Sequence, residues 1–174
     1  LPQWKNQDQD KILLKHLLSM RSGMEDHGFV YVVPDMVSHS LDRDIIRPPG
    51  VAFRYSNEDS MLLGEIIQNA TGMSFQEYAD KKLFNLIGAD ETWWTDQEGN
   101  TISYASIDMT PREFAKFGLV IAQEGSWQGQ QIVSSDWVEL ATSKYDDLMS
   151  YGFQWWTSET KDIDYPFFSA RGLD

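Results

Sequence analysis

The apolar residues along much of the chain recur with the spacing of amphipathic helices. Over residues 11–20 they fall on one broad helical face, and Gly23 follows as a stop signal. Over residues 62–70 they recur at positions i, i+1, i+4, i+5 and i+8, and Gly72 ends the pattern. Each pattern predicts a helix with one buried face.

Two more helices are predicted from the residues at their starts. Ser74 with Glu77, and Thr110 with Glu113, match the capping box, in which a hydroxyl and a carboxylate satisfy free N–H groups of the first turn. Pro111 fits the first position of the second helix, where its missing N–H costs nothing. We therefore expect a helix directly after each capping residue.

The C-terminal part of the chain has the composition of β-strands. Residues 151–156 and 165–170 are rich in aromatic side chains and poor in charge, which favours extended structure. We therefore predict a mostly helical portion over residues 1–145 and the first strands of a sheet over residues 146–174. No linker, repeat or internal domain boundary is evident.

The composition and the charge limit the classes of partner. With 41% apolar and 24% charged residues, the chain is typical of a folded globular protein. The 14 Lys and Arg residues against 27 Asp and Glu residues give a formal charge of −13, which repels nucleic acid and anionic lipid surfaces. We therefore expect no nucleic-acid partner.

Membrane spans and cysteine chemistry are not expected either. No run approaches the roughly 20 apolar residues that cross a bilayer. The first residues, LPQWK, resemble neither an initiator methionine nor a secretion signal, so we expect the natural start to lie upstream. The absence of cysteine excludes disulfides, a thiol nucleophile and thiolate metal sites, and it is compatible with a reducing or an oxidising compartment.

The histidines do not form a metal-binding pattern. His16, His27 and His39 are too far apart in sequence for any two to lie on adjacent turns of one helix. His16 falls inside the first predicted helix, where a hydrogen-bonded structural role is expected. We therefore predict no metal site.

Two short motifs resemble the active-site motifs of serine hydrolases. In the triplet Tyr55-Ser56-Asn57 a phenol and an amide can point into one cleft, although a packed ring beside a helix-capping Asn57 explains the triplet equally well. Ser158 and Lys161 match a Ser-x-x-Lys nucleophile motif, in which one helical turn brings the amine beside the hydroxyl. They lie in a polar segment suited to a hairpin tip, so we expect this second match to be fortuitous.

Several longer segments, in order along the chain, carry a family resemblance. Residues 12–23 are ILLKHLLSMRSG, residues 49–57 are PGVAFRYSN and residues 109–118 are MTPREFAKFG. Together they resemble the serine β-lactamase and penicillin-binding protein superfamily. The nearest branch is that of the class C-like esterases, carboxypeptidases and 6-aminohexanoate-dimer hydrolases.

This resemblance implies a fold and an activity. The expected fold is mixed α and β, β-lactamase/transpeptidase-like, with this chain forming mainly the helical subdomain and part of the antiparallel sheet of the α/β subdomain. The expected activity is hydrolysis of small-molecule or peptide-like amides or esters through an acyl-serine intermediate, without metal or organic cofactor. The resemblance also implies a periplasmic or cell-envelope location, with a targeting segment outside this chain. It does not imply an oligomeric state.

The resemblance assigns roles to individual residues. Tyr55 would shuttle a proton to the leaving group, and Asn57 would donate its amide to the substrate carbonyl. Tyrosine ordinarily titrates near pH 10, so Tyr55 would need a neighbouring lysine to lower the pKa of its phenol. Gly172, Leu173 and Asp174 match the position of the strand that supplies an oxyanion-binding N–H.

The chain also departs from the family pattern. The family's Ser-x-x-Lys helix precedes the segment that matches residues 12–23, so the nucleophile is expected upstream of Leu1 and the chain alone is expected to be inactive. The alternatives are a non-catalytic, penicillin-binding-protein-like binding module and an inactive fragment. Residues 103–106 occupy a stretch that is often glycine-rich in relatives, which is expected to alter the shape of the cleft. The pairs Trp93-Trp94 and Trp155-Trp156 could line that cleft or pack in the core.

Overall fold

The computed structural model describes residues 1–158 and 167–171, in which helices and short antiparallel strand pairs are connected by loops. The α-helices are α1 (Leu14–Leu18), α2 (Met36–Leu41), α3 (Asn57–Thr71), α4 (Phe75–Ala79), α5 (Asn85–Ile87), α6 (Pro111–Ala122) and α7 (Ser135–Thr142). A π-helical turn, Asp80–Phe84, joins α4 to α5. Short 3-10 turns are Pro2–Trp4, Asp8–Lys11 and Val30–Val32.

The strands pair as separate two-stranded antiparallel hairpins within these described ranges. They are β1 (Thr92–Trp93) with β2 (Ile107–Asp108), β3 (Ser126–Trp127) with β4 (Gln130–Gln131), and β5 (Trp156–Ser158) with β6 (Phe167–Ser169). In β5 and β6, Trp156 lies opposite Ser169 and Ser158 lies opposite Phe167. The chain therefore contributes small antiparallel pieces to a largely helical body.

The predicted capping boxes are confirmed. The Ser74 amide donates to the Glu77 carboxylate at 2.8 Å while the Glu77 amide donates to the Ser74 hydroxyl at 3.2 Å. Thr110 and Glu113 repeat this exchange at 3.0 and 3.4 Å, with a proline in the first turn. Four otherwise free groups at the starts of α4 and α6 are thereby satisfied, which fixes where both helices begin.

The first predicted helix is wrong in its extent. Residues 11–20 were expected to be helical, but α1 covers only Leu14–Leu18 because Leu13 is extended and its N–H donates to Nδ1 of His16 at 3.2 Å. Leu13 and Leu14 remain 53% and 52% exposed, so the apolar face is only partly buried. The structural, hydrogen-bonded role predicted for His16 is confirmed.

The predicted strand at residues 151–156 is also misplaced. Only its last residue belongs to β5, because Gln154 adopts a φ of +66° and turns the chain. A Cβ on Gly152 would lie 2.2 Å from the Ala141 carbonyl oxygen, so only glycine allows this turn to approach the end of α7. The predicted strand at 165–170 contains β6, and residues 165 and 166 lie outside the described part of the chain.

The core consists of apolar clusters arranged along α3 and α6. One cluster contains Trp4, Leu17, Met24 and Leu62, and a second contains Val30, Met36, Met61 and Ile102. A third, here called the α6 cluster, contains Phe84, Ile87, Ala89 and Val120. Because α3 contributes Met61 and Leu62 to the first two clusters, its N-terminal half is packed against the rest of the molecule. In the described part of the chain, no helix is both long and apolar enough to cross a membrane.

Candidate active site

A cavity of about 600 Å³ opens beside the first turn of α3. Its lining residues are Tyr31, Tyr55, Asn57, Tyr104, Ala105, Ser106, Trp156 and Arg171. Both residues of the Tyr-x-Asn triplet thus contribute to one concave surface, together with three further hydroxyl-bearing side chains. Such a cavity, in which aromatic side chains form half of the lining and a few polar groups are present, is typical of a small-molecule site.

Tyr55 and Asn57 share this cavity because Ser56 between them points inward. Ser56 is extended, so its neighbours project to the opposite side of the backbone. Its buried hydroxyl accepts from the Asp59 amide at 3.1 Å and caps α3. The alternative interpretation of the triplet, in which Asn57 caps the helix, is therefore wrong. Ser56 is the cap and Asn57 is the first helical residue.

A buried polar cluster of Arg43, Ser56, Glu58 and Asp59 fixes this cap. The Arg43 guanidinium donates to the Ser56 hydroxyl at 3.2 Å, to Asp59 Oδ1 at 2.9 Å and to the Ser40 carbonyl at 3.0 Å. The Ser56 hydroxyl donates to Glu58 Oε2 at 3.1 Å. Burial raises the pKa of the Asp59 carboxyl, and Arg43 opposes that effect through its charge and its hydrogen bond. The cluster therefore holds the base of the site through directed bonds.

Tyr55 lies between aromatic rings. Its ring stacks on Trp156 with centroids 5.7 Å apart and meets Tyr151 edge-on at 6.3 Å. Burial raises the pKa of the Tyr55 phenol above its ordinary value, and the nearby Tyr31 adds to the rise. Among the described residues that line the cavity there is no lysine. These residues alone therefore do not provide the lowered pKa that proton shuttling by Tyr55 requires.

Asn57 is held by a second tyrosine. Its side-chain amide donates to the Tyr31 hydroxyl, and the Tyr31 ring meets Tyr104 edge-on at 5.5 Å. Tyr104 is anchored in turn, because its hydroxyl donates to the sulfur of Met36 at 3.6 Å. Burial raises the pKa of Tyr104 to about 12, so this hydroxyl remains a donor at neutral pH. The amide of Asn57 is thus oriented towards the cavity by packed side chains.

One face of the β5–β6 hairpin forms part of the cavity wall. Trp156 faces the cavity, whereas Trp155 stacks on Phe117 with centroids 6.1 Å apart. Arg171 follows β6, and its Nε donates to the Ser169 hydroxyl at 2.9 Å. The two adjacent tryptophans therefore serve different purposes, since one packs against α6 and the other lines the site.

The other sequence-predicted residues fall in different places. Gly172, Leu173 and Asp174 lie outside the described residues, so their oxyanion role stays a prediction. Ser158 ends β5, and the antiparallel pairing of β5 with β6 agrees with the predicted hairpin, whereas Lys161 lies outside the described part. The catalytic roles of Tyr55 and Asn57 are likewise still predictions, although both line the cavity.

Several lining residues have no signal in the sequence. Tyr31 belongs to the run FVYVV, which indicates packing and not a site, and yet this residue is 55% exposed. Arg171 is a single cation without a motif. Of the stretch 103–106, Tyr104, Ala105 and Ser106 form part of the cavity wall, and its expected effect on the shape of the cleft stays a prediction. Within residues 1–158 and 167–171, no group of three His, Asp or Glu side chains could hold a metal ion.

Comparisons with known proteins identify related sequences. A family model described as Beta-lactamase matches residues 1–171. The chain is 27% identical over 119 residues to 6-aminohexanoate-dimer hydrolase from Paenarthrobacter ureafaciens. The aligned region covers 60% of this chain and 30% of that protein. It is 28% identical over 93 residues to penicillin-binding protein 4* from Bacillus subtilis (strain 168). This aligned region covers 47% of this chain and 21% of that protein. The matches therefore span less than a third of these curated relatives.

Solved structures show the same fold. A protein from Bacillus anthracis assigned as a 6-aminohexanoate-dimer hydrolase superposes with a TM-score of 0.82 at 22% identity, covering 92% of this chain and 50% of that one. A D-amino acid amidase from Ochrobactrum anthropi SV3 superposes with a TM-score of 0.68 at 16% identity, covering 91% and 58%. The predicted resemblance and the predicted β-lactamase/transpeptidase-like fold of mixed α and β structure are both confirmed.

Proposed function

The chain belongs to the beta-lactamase family, and on this basis we propose that the protein hydrolyses amide or ester bonds of small-molecule or peptide-like substrates through an acyl-serine intermediate. Relatives named as a dimer hydrolase and an amidase are consistent with this reaction class. The observation that carries the proposal is the placement of Tyr55 and Asn57 side by side on a cavity of about 600 Å³. The proposed nucleophile is a serine upstream of Leu1.

The proposed roles follow from the chemistry of the two side chains. The phenol of Tyr55 exchanges a proton with the nucleophile and with the leaving nitrogen or oxygen, which requires a neighbouring lysine to counter the effect of burial on the pKa of the phenol. The side-chain amide of Asn57 donates to the substrate carbonyl, and Tyr31 orients that amide beforehand. Water then releases the acid from the acyl-enzyme.

The proposal extends to the position of this chain in the fold and the cell. Residues 1–145 form the helical part of a β-lactamase-like domain, and residues 146–174 form the first returning strands of its sheet. Gly172, Leu173 and Asp174 then supply the strand whose N–H binds the developing oxyanion. The proposed location is the periplasm or the cell envelope.

The first test is the replacement of Tyr55 by phenylalanine in the full-length protein. The change removes the phenol and keeps the stacked ring, so kcat should fall by about 10²–10⁴-fold with little change in stability. Steady-state hydrolysis of a chromogenic ester and thermal unfolding measure both quantities. Tyr145→Phe is the matched control, because Tyr145 lies under Arg21 and outside the cavity lining. Activity of Tyr55→Phe within about threefold of the original would show that Tyr55 is only structural.

The second test locates the nucleophile. Ser106 lines the cavity, and Ser158 belongs to the Ser-x-x-Lys match in the sequence. Among the described residues that line the cavity there is no lysine. We therefore expect that residues 1–174 alone, incubated with a fluorophosphonate, gain no covalent adduct by intact mass. An adduct mapped to Ser106 or Ser158 would place the nucleophile inside this chain and contradict the proposal.

A non-catalytic binding module is the second candidate function. The observation that favours it is the raised pKa of the Tyr55 phenol in a cavity whose described lining has no lysine. Acylation of the full-length protein by the same fluorophosphonate separates the two candidates. A stoichiometric adduct on a serine upstream of Leu1 supports the hydrolase, and ligand binding without any adduct supports the binding module.

A further inference from the structure

Four aromatic rings, here called the aromatic box, fix the position of Tyr55. The box consists of Phe53, Tyr55, Tyr151 and Trp156. The Tyr55 ring lies 5.7 Å from Trp156 and 6.3 Å from Tyr151, between ring centroids, and Phe53 contacts the same two rings at 6.1 and 5.2 Å. Because the rings come from two distant segments of the chain, the orientation of Tyr55 depends on how those segments are held together.

A buried arginine outside the cavity lining joins the two segments. The Arg21 guanidinium lies over the Phe53 ring, 5.5 Å from its centroid. Its Nη2 atom donates to both carboxylate oxygens of Asp146 at 2.8 Å. Asp146 forms a β-bridge with Met149, whose carbonyl accepts from the Tyr151 amide at 2.8 Å. One side chain therefore connects both parts of the aromatic box.

The backbone around this arginine also binds the segment that contains Tyr55. The Arg21 carbonyl accepts from the Gly50 amide, and the Met20 carbonyl accepts from the Arg54 amide, both at 2.8 Å. The sulfur of Met20 accepts from the Ser56 amide at 3.4 Å. The turn that carries the arginine is thus bonded to the backbone immediately before and immediately after the proposed proton-transfer residue.

The burial of the Arg21–Asp146 ion pair indicates a geometric role. The Arg21 side chain is 0% exposed, and the Asp146 side chain is 31% exposed. A guanidinium loses its hydration on burial, so apolar residues of equal volume often stabilise a fold as well as an ion pair does. Apolar residues do not supply directed bonds, whereas a planar guanidinium that stacks on one ring and donates to one carboxylate is held in one orientation.

We propose that Arg21 and Asp146 are positioning residues for proton transfer by Tyr55, which act through the aromatic box and do not touch the substrate; the inference rests on the proposed hydrolase function. Arg21 fixes the Phe53 ring, and Asp146 fixes the segment that leads to Tyr151. Proton transfer depends steeply on distance and angle, so a small rotation of the phenol slows the chemical step without weakening substrate binding.

The first experiment removes the charge of Asp146 and keeps its shape. In the full-length protein, Asp146→Asn should lower kcat for a chromogenic ester about tenfold and change KM less than about twofold, because the phenol is misplaced and the substrate contacts remain. Asp147→Asn is the matched control, since it makes the same charge change at the exposed neighbouring residue, and its kcat should be unchanged. An unchanged kcat in Asp146→Asn, or an equal fall in Asp147→Asn, would overturn the inference.

A combination with Tyr55→Phe shows whether the effect passes through the phenol. In the Tyr55→Phe background, Asp146→Asn should lower kcat by less than about twofold further, because the group that it misplaces is already absent. A general loss of structure would instead lower kcat about tenfold in both backgrounds. That additive result would show that the ion pair does not act on Tyr55.

A further variant covers the case in which Asp146→Asn fails to fold, since it leaves the Arg21 guanidinium buried without its carboxylate. Arg21→Met combined with Asp146→Leu removes both charges, so this protein should fold. Its kcat should still be about tenfold below that of the original protein, because the new side chains supply no directed bonds. A kcat within about twofold of the original would contradict the positioning role.

Spectroscopy separates failure of this inference from failure of the proposed hydrolase. If the full-length protein does not hydrolyse the ester, the hydrolase proposal fails for that substrate, and near-UV circular dichroism still reports how the rings are packed. Trp156→Leu defines the part of the signal that comes from Trp156 in the aromatic box. Asp146→Asn should lose most of that part with its far-UV spectrum unchanged, and Asp147→Asn should keep it. A full near-UV signal in Asp146→Asn would show that the ion pair does not hold the box.

Discussion

The buried polar cluster and the α6 cluster lie in the same fold but are held together by different forces. Beneath Tyr55 and Asn57, the Arg43 guanidinium connects a helix cap, a buried aspartate and a backbone carbonyl. The α6 cluster contains only apolar side chains, surrounded by further partly buried apolar residues. Directed bonds fix the position of a helix start, whereas apolar packing sets stability and tolerates changes of shape.

This difference indicates why the polar cluster lies under the cavity. A buried ion pair often stabilises no more than apolar residues of equal volume would, because both charges lose their hydration. Its value here is geometric, since Ser56 must point inward for the two neighbouring side chains to face the cavity. The polar cluster therefore determines the arrangement of the site, and its net contribution to stability is small even though loss of one partner is costly.

The largest effect that can break this comparison is expected from Arg43→Met. The substitution leaves Asp59 buried without its cation and removes a donor from Ser56, so the free energy of unfolding should fall by about 3–5 kcal/mol. Urea unfolding followed by far-UV circular dichroism measures this. Loosening of the cap should also weaken the stack of Tyr55 on Trp156, which near-UV circular dichroism detects.

A double variant separates the charge from the packing. Arg43→Met combined with Asp59→Leu removes both charges, and most of the lost stability should return. The near-UV signal should recover less than the stability, because no group then donates to the Ser56 hydroxyl from the position of Arg43. Full recovery of both signals would show that the polar cluster has no special part in shaping the site.

The sequence predicts the local features of this arrangement better than the long-range ones. The capping boxes at Ser74 and Thr110 are visible because both partners of each bond lie within four residues. The pairing of Arg43 with Asp59 is not visible, since these residues are 16 apart in sequence and belong to no repeating pattern. Short-range chemistry is encoded locally, whereas a buried ion pair depends on how helices pack.

The candidate site follows the same division. Tyr55 and Asn57 could be found from a motif of three consecutive residues, but their partners on the cavity come from distant parts of the chain. The contact of Asn57 with Tyr31 joins residues 26 apart, and Arg171 reaches the cavity only through the pairing of β5 with β6. Apolar periodicity also overestimated α1, because Leu13 is extended and serves as the N-cap, with the His16 ring accepting its N–H.

A smaller effect is expected in the α6 cluster from Val120→Ala. Val120 is fully buried, and the loss of its two methyl groups leaves a cavity, so the free energy of unfolding should fall by about 2 kcal/mol. Urea unfolding gives this value, and the near-UV signal of the Tyr55 stack should be unchanged. A change in that signal equal to the one in Arg43→Met would mean that the two regions are not independent.

The smallest predicted effect concerns Glu91, whose carboxyl group has the carboxyl group of Asp80 as its neighbour. Burial, followed by a hydrogen bond and like charge from Asp80, raises the pKa of Glu91 to about 7. Asp80 and Glu91 therefore pair two acids, whereas Asp59 is paired with a cation.

Because the folded protein retains a proton that the unfolded chain releases near pH 4.5, this contribution to stability is complete below pH 4.5 and is lost as the pH rises through about 7. Glu91→Gln imitates the protonated acid at every pH. The free energy of unfolding of this variant, relative to that of the original protein, should therefore rise by on the order of 1 kcal/mol from about pH 5 to about pH 8. Urea unfolding at both pH values measures the difference, and Glu98→Gln, which removes an exposed carboxylate, is the control. An equal gain in Glu98→Gln would mean that the pH dependence comes from the overall negative charge and not from the Asp80–Glu91 pair.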